Sequence, residues 1–541
     1  MSKFRNKNLR DSLASVQPNP KAVEANKIPK PTVQNRQGHA AYAVDSWLKL
    51  LTMLNTLKLE NQFYRSETET MKELKVLVDE CASQDPYLVA QCIVYSRCVG
   101  EGMRSVNHLA ASYLAPHCGG LEWAKRFYSL WNKKTKSGGT VFRADDMAEI
   151  IACFSALNKT KATNAMKKGF AEAIQKMDAY TILKYKSALI DVINLVHPNP
   201  KKSTATVEHD GKQVNVIDAV IKGLPVSADT WEVAQSDAGQ EVAKAVKEGK
   251  IDDAQAKTIL KEAKAENWHA LLTEGKLGIL AALRNIRSMM NTVTNDATLK
   301  SLCALLSNGE AIRAGKIMPY QLDLANEVLT TEFKNAEART ISAALLKGYS
   351  AAVPNLAEML PGRNLVMIDF SGSMTTQVVD PNRKTKYSSS CADKAALICA
   401  TVAKATNADV IAFGSAAEYV HWNINSDVFS IARSLKRSLG GTNLQAAWDM
   451  AQKSGKKYDR VFILSDNECN AGNSYRAYMT YVKSVGSPYV YSVDMAAYGT
   501  TQLAGDNVRY YYGYGYSMFD DIAKSEFNPN YHLDKVKKIV I

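Results

Sequence analysis

The sequence predicts two regions of different class in one chain. Residues 36–353 read as all-α, with helix pairs stacked in the HEAT manner, and residues 361–541 as α/β on a doubly wound, mostly parallel sheet. Three observations predict this. Before Pro354 apolar residues recur at helical spacing with almost no strand-like alternation. After Pro361 short β-rich apolar runs alternate with helical patterns. At 541 residues the chain is longer than one ordinary hydrophobic core serves.

Residues 1–35 are rich in Pro and Lys and lack periodicity, so they read as a flexible basic arm. Helical segments then follow at Tyr42–Leu57, Thr70–Ser83, Tyr87–Cys98, Ser105–Ala115, Leu121–Asn132, Ala144–Leu157, Lys161–Lys176, Ala179–Val196, Gln240–Lys247, Asp253–Ala265 and from Lys276 past Asn291. Short loops with Gly, Pro or Asn separate them. No strict heptad and no exact repeat is visible, which favours a solenoid of short helices over a coiled coil. Beyond Pro361, strands are expected at 365–370, 408–414, 460–465, 489–494 and 508–513. Helices are expected at Asp393–Asn407, Val428–Ser438, Asn443–Ser454 and Ser474–Val485. Fully apolar strands between helices indicate a sheet covered on both faces, whose ligands sit beyond the carboxyl ends of its strands.

Composition narrows the function classes. Hydrophobic residues at 46% and charged residues at 22% are those of a soluble globular protein. No apolar run reaches the ~18 residues of a spanning helix, and the first residues lack the apolar core of a secretory signal. Membrane partners and export are not expected. Nine cysteines, an odd number with no CxxC, read as free thiols of a reducing, cytoplasmic compartment. The net charge of +13 favours anionic partners, nucleic acid above all. Residues 1–360 hold 47 basic against 38 acidic side chains and residues 361–541 hold 20 against 16, so the surplus fits a patch, not a tail.

The most informative stretch is Leu365-Val-Met-Ile-Asp-Phe-Ser-Gly-Ser-Met-Thr375. Asp369, Ser371 and Ser373 alternate just past a strand, where three oxygen side chains can converge on a hard cation. Mg²⁺ takes about six oxygens and keeps some as water. Gly440-Gly441-Thr442 offers a flexible turn presenting another hydroxyl, and Val461–Asp466 is a second apolar strand ending in a carboxylate. Asp369, Ser371, Ser373, Thr442 and Asp466 together resemble the metal-ion-dependent adhesion site of von Willebrand factor A (vWA) domains, which implies bound Mg²⁺ or another divalent cation. The plainer alternative is a hydroxyl-rich turn capping the next helix. Two-metal hydrolysis needs more clustered carboxylates than Asp369, Asp466 and Glu468 provide. His421 has no visible catalytic partner, and no catalytic residue is expected.

The helical half resembles the TROVE module of telomerase, Ro and vault proteins. Asp45-Ser-Trp-Leu-Lys-Leu50, Lys184-Tyr-Lys186 with Leu195-Val-His-Pro198, Asp229-Thr-Trp-Glu232, Trp268-His-Ala-Leu-Leu272, Leu283-Arg-Asn-Ile-Arg287 and Ile317-Met-Pro-Tyr320 carry the resemblance. In the other half Gly440-Gly-Thr442 and Asp466-Asn-Glu468, with Ala471-Gly472 behind, resemble Ro-type sequences. The chain is thus similar to the Ro autoantigen family, in its bacterial or phage-type form. It departs from the family at Leu59-Glu-Asn-Gln-Phe-Tyr64, which lacks the usual glycines, and along the acidic, Ala-rich segment 236–265. The resemblance implies a ring of helical repeats closed by the vWA domain. Single-stranded 3′ ends of misfolded noncoding RNA would enter a central cavity, and Y-type RNA would bind the outer basic surface. A partner 3′→5′ exoribonuclease would do the chemistry, and the protein would be an adaptor, not an enzyme.

Candidate RNA contacts follow. Lys167 and Lys168 lie on a helix resembling the family's outer basic helix, or else on a solvated face. Lys184 and Lys186, two apart, splay by about 200° on a helix, so at most one need face RNA. His197 ends that helix, either as a contact or as a cap at its carboxyl end. Arg284 and Arg287 share one helical face at i, i+3 as a cavity-lining pair, or as a structural ion pair. Lys49 and Arg97 are further candidates. The competing function is an intracellular, metal-dependent protein-binding scaffold with incidental RNA affinity, in which a partner's acidic side chain completes the metal shell.

Overall fold

The computed structural model describes residues 28–131, 142–158, 162–228, 231–292, 295–376 and 387–541, with side chains from 239 on in the segment that opens at 231. Strands β1 (Val33–Gln34) and β2 (Ala40–Ala43) come first. Ile28 is buried against the far domain, so the last part of the expected arm is pinned.

The first helical block runs from Ser46–Thr56 to Val216–Ile221. Its helices start on the caps that the sequence supplies: Asp45, Ser66 paired reciprocally with Glu69, Asp85 before Pro86, Thr163 and Asp178. Two expectations need correction. The segment 179–196 is not one helix but two, Ala179–Lys184 and Lys186–Val196, joined at Tyr185 (φ −103°, ψ 18°). In the same way 276–291 divides into Ile279–Arg284 and Ile286–Met290 at Asn285 (φ −102°, ψ 11°). Both joints sit in the bridge region of backbone space, where the helix turns without losing its apolar face. The near-absence of strands is also corrected. Strands β3 (Thr206–His209) and β4 (Lys212–Asn215) form a hairpin turning on Asp210-Gly211, both at positive φ. That Asp-Gly pair is a strong hairpin signal that the helical reading passed over.

Helix Trp231–Lys247 leads to Asp253–Thr273 and so to the second block, which ends at Ala336–Ala352 and the short helix Leu356–Met359. The α/β part follows, with β5 (Asn364–Asp369), β6 (Asp409–Phe413), β7 (Ala417–Tyr419), β8 (Arg460–Ser465), β9 (Tyr489–Asp494), β10 (Thr500–Thr501) and β11 (Val508–Tyr512). The main sheet has the order β11-β9-β8-β5-β6-β7 and is parallel except for the edge strand β7. Alternate residues of β5 face opposite cores: Val366 and Ile368 the helices 391–406 and 428–435, Leu365 and Met367 the helices 444–453 and 474–484.

The blocks close into a circuit through this domain. The second block shares one continuous core with it, with Tyr349 and Thr401 hydroxyls 2.5 Å apart. The first block buries Tyr512, Val536 and Ile541, and β2 pairs with β10. The blocks also touch each other: Lys316 Nζ donates to the carbonyls of Val99 (2.9 Å) and Gly100 (3.1 Å).

At this junction Glu101 is buried against Gly515, where a Cβ would collide with its carboxylate, and accepts from Ser517. Burial pushes its carboxyl up to about 7. A folded value above the unfolded one of roughly 4.3 means the cost of ionising it is absent at low pH and grows as pH rises toward 7. Glu101→Gln is expected to raise stability at pH 8 by up to roughly 3 kcal/mol and to leave it unchanged near pH 4. Denaturant unfolding at the two pH values checks this.

Candidate metal centre and nucleic-acid interface

The sheet reverses its strand order between β5 and β8, which places Asp369 and the residue after β8, Asp466, side by side at the switch point. Asp369 Oδ1 accepts from the Ser371 amide (2.8 Å), and its Oδ2 accepts from the Ser465 hydroxyl (2.6 Å). Ser371 and Ser373 hydroxyls stand 3.2 Å apart. Ser373 and Asp466 line one cavity, and Asp466 Oδ1 accepts from the Glu468 amide (3.1 Å). The Gly440 carbonyl accepts from the Gly372 amide (2.8 Å), which draws the Gly440–Thr442 turn over the Asp369–Ser373 segment. Gly440 has φ +78°, and Ser415 Oγ would lie 2.9 Å from a Cβ there. Asn470 Oδ1 accepts from the Thr442 amide (3.0 Å). The five residues expected to form a metal site therefore meet at one end of the sheet.

Their chemistry fits a divalent cation. Asp369, Ser371, Thr442 and Asp466 are at most 1% exposed and Ser373 8%. Neither aspartate has an ion pair with Lys or Arg among the described residues. Burial and then the charge of Asp466 push the Asp369 carboxyl up, and burial pushes Asp466 up too. Glu468 behaves likewise, pushed up to about 8 by burial and Asp466, and its buried Oε1 has no hydrogen-bond partner. Carboxylates crowded without a counter-charge, beside convergent hydroxyls, are what a hard cation would relieve. Among the described residues no cluster of three or more His, Cys, Asp or Glu is placed to hold a metal, so the hydroxyls would be needed.

The helical half roofs this end of the sheet through residues more than four hundred positions away in the chain. Gln62 Nε2 donates to the Ala496 carbonyl (3.0 Å), and the buried Arg65 Nη1 donates to that of Ala497 (3.2 Å). The Arg36 amide donates to Glu468 Oε2 (2.8 Å), and the Tyr64 amide donates to the Tyr498 hydroxyl (3.3 Å). A cavity of about 290 Å³ remains beside the site, between the two blocks and the vWA sheet.

The expected RNA contacts are dispersed. Lys168 is exposed and Lys167 half-buried on helix Asn164–Gln175. Lys184 is exposed and lies over the Tyr180 and Tyr185 rings (5.6 and 5.9 Å). Lys186 turns inward and donates to the carbonyls of Leu224 (3.1 Å) and Val226 (3.4 Å). His197 caps its helix in the left-handed region (φ 49°) and is exposed. Arg284 is exposed, whereas Arg287 pairs with Glu332 (2.6 Å). The joint at Asn285 puts these arginines on different helices, so the shared face expected for them does not form. Arg97 is buried and paired with Asp146 (2.9 Å). Lys49 packs its side chain against Gly499, and Trp268 is core. Trp231 falls outside the described side chains.

A stacked-helix module seated on a vWA sheet is the architecture of TROVE–vWA proteins, and comparison with known proteins agrees. Residues 215–400 match the TROVE domain model and residues 363–499 the Ro60 vWA domain model. The chain belongs to the Ro family. The crystal structure of the Deinococcus radiodurans RO (RSR) protein superposes with a TM-score of 0.55 over 89% of this chain and 100% of that one. At 16% identity, that likeness speaks for the fold alone. Proximal thread matrix protein 1 of the mussel byssus overlaps at a TM-score of 0.22 and 12% identity, covering 36% of this chain and 52% of that one, too little to carry an argument. No curated protein sequence matches.

Proposed function

We propose that this protein is an RNA-binding adaptor of a Ro ribonucleoprotein, without catalytic chemistry of its own. It would take single-stranded 3′ ends of misfolded or structured noncoding RNA within the helical circuit and Y-type RNA on its outer basic surface. Decay would be left to a partner 3′→5′ exoribonuclease. The observation that carries the reading is a TROVE match and a Ro60-type vWA match adjoining in one chain. The basic surplus supports it, since Lys and Arg contacts to phosphate give broad, salt-dependent affinity. Nine free cysteines suit a cytoplasmic, reducing setting, and among the described residues no helix is long and apolar enough to cross a membrane. Asp369, Ser371, Ser373, Thr442 and Asp466 would hold Mg²⁺ or another divalent cation, leaving one coordination position for an oxygen ligand.

The deciding experiment titrates purified protein with two RNAs sharing one duplex, one with a 3′ single-stranded tail and one blunt, at two salt concentrations. A gel follows cleavage. Preference for the tailed RNA, a steep salt slope and no cleavage are expected. Equal weak binding would overturn the reading in favour of a protein ligand at the metal site.

The lysine pair on helix Asn164–Gln175, one exposed and one half-buried, gives a separate prediction. Lys167→Glu with Lys168→Glu is expected to weaken binding of structured RNA by about tenfold or more and of a bare tail far less. Equal losses on both RNAs would show that this patch is misassigned.

A further inference from the structure

The cavity beside the candidate metal site is lined by a lysine together with the carboxylates of Asp466 and Glu60. Lys394 is only 9% exposed and makes no ion pair among the described residues. Its Nζ lies 4.4 Å from the Tyr514 ring centre and 5.3 Å from that of Tyr320. It lines the same cavity as Ser373 and Asp466. A second ammonium, Lys58 Nζ, stands 5.2 Å from the Tyr320 ring, and the exposed Arg284 lies close enough to act on the Tyr320 phenol. At the lip Phe63 is 47% exposed, its ring open to a partner.

We propose that this cavity is a subsite for one nucleotide of single-stranded RNA, its phosphate shared between Lys394 and the metal site, its base against Phe63 and Tyr320. The inference rests on the RNA-binding reading above and gives it a place. A buried lysine that forms no ion pair is satisfied by a phosphate oxygen. Phosphate would be repelled by Asp466 and Glu60, which line the cavity, and by Glu468 behind them unless a divalent cation is bound, so occupancy is tied to the metal. Aromatic rings at the lip suit a base, since every base has a stacking face. An acidic peptide would use the cation and Lys394 but leave the aromatic lip without a role. The roof formed by Gln62–Arg65 leaves about 290 Å³, room on the scale of one flexible nucleotide and not of a folded domain's loop.

The test uses the full chain with oligouridine and, separately, an aspartate-containing pentapeptide, each titrated in Mg²⁺ and in EDTA. Lys394→Met keeps the buried stem and removes the charge. It is expected to weaken oligouridine by about tenfold or more and to remove most of the Mg²⁺ dependence of that binding, while the Mg²⁺ affinity of the protein itself stays within a few-fold. Phe63→Ala, at an exposed position that tolerates change, is expected to weaken oligouridine by about fivefold or more. Wild-type affinity in a folded Lys394→Met protein would overturn the proposal. Should that variant not fold, wild-type affinity in Phe63→Ala would overturn it. Binding of the peptide that depends on both Mg²⁺ and Lys394 and is not displaced by oligouridine would overturn it in favour of a protein ligand. Failure of the wild-type chain to bind any tailed RNA would instead sink the adaptor reading itself, a separate result.

Discussion

Asp369→Ala is expected to reduce Mg²⁺ affinity by about a hundredfold or more, because it removes the carboxylate around which Ser371, Ser465 and Asp466 are arranged. Asp466→Ala should do the same. A second consequence distinguishes a metal site from a structural cap. Without metal, each aspartate raises the cost of ionising its neighbour, so either alanine variant should be at least as stable as wild type in EDTA and should lose only the Mg²⁺-induced stabilisation. If these residues were only a hydroxyl-rich cap, Mg²⁺ would stabilise neither wild type nor variant. Outer-surface RNA binding is expected to survive both changes. Isothermal titration with Mg²⁺ and melting curves with and without EDTA decide the matter.

Asp146→Asn is expected to destabilise the first helical block by about 3–5 kcal/mol. Asp146 is fully buried and accepts from Arg97 Nη2 (2.9 Å), Arg104 Nε (3.1 Å) and the Arg143 amide (3.0 Å). His108 joins them, 3.3 Å from Asp146 and 2.8 Å from Glu149. An asparagine would leave Arg97 buried without its counter-charge. Burial alone would raise the Asp146 carboxyl, but the His108 hydrogen bond and the charges of His108, Arg97 and Arg104 hold it far below the usual carboxylate range. Its contribution is therefore complete above the unfolded value of roughly 3.9 and is lost as pH falls through the folded one. His108 runs the other way. Burial lowers it, the nearby carboxylates of Asp146 and Glu149 outweigh that, and its pKa is raised. What it contributes is complete below roughly 6.5 and is lost as pH rises through its folded value. The wild-type advantage over Asp146→Asn should thus be widest between about pH 4 and 6.5. Denaturant unfolding across that range reads it, and a difference below about 1 kcal/mol would mean the cluster adds no stability.

Features with a short-range cause were legible without coordinates. Strands 460–465 and 489–494 match expectation residue for residue, because a parallel strand buried on both faces is written as an unbroken apolar run. The meeting of Asp369 and Asp466 at one end of the sheet was legible for a related reason: each ends such a run, and Ser371 and Ser373 follow Asp369 at the period of two. Thr442 came from a glycine turn that only a special backbone would need. What was missed depends on partners distant in sequence. The pairing of β2 with β10 joins residues more than four hundred positions apart, and the edge strand β7 is only three residues long. Periodicity cannot separate one straight helix from two joined at Tyr185 or Asn285, since the apolar face continues across the joint.

The basic residues divide the two kinds of knowledge most sharply. By itself the sequence determined that this is a helical module followed by a vWA-type sheet, that the chain is basic, and which oxygens gather at the switch point. Spacing, composition and strand ends carry that information locally. Only the tertiary structure decided what each cation does: Arg97 neutralises Asp146, Arg287 holds Glu332, Lys186 caps backbone carbonyls, and Lys394 lies over the Tyr514 ring in the cavity that Ser373 and Asp466 also line. A positive charge is written the same way in sequence whether it is buried, paired or free. Its role is fixed by the field of neighbours that folding brings within a few ångströms.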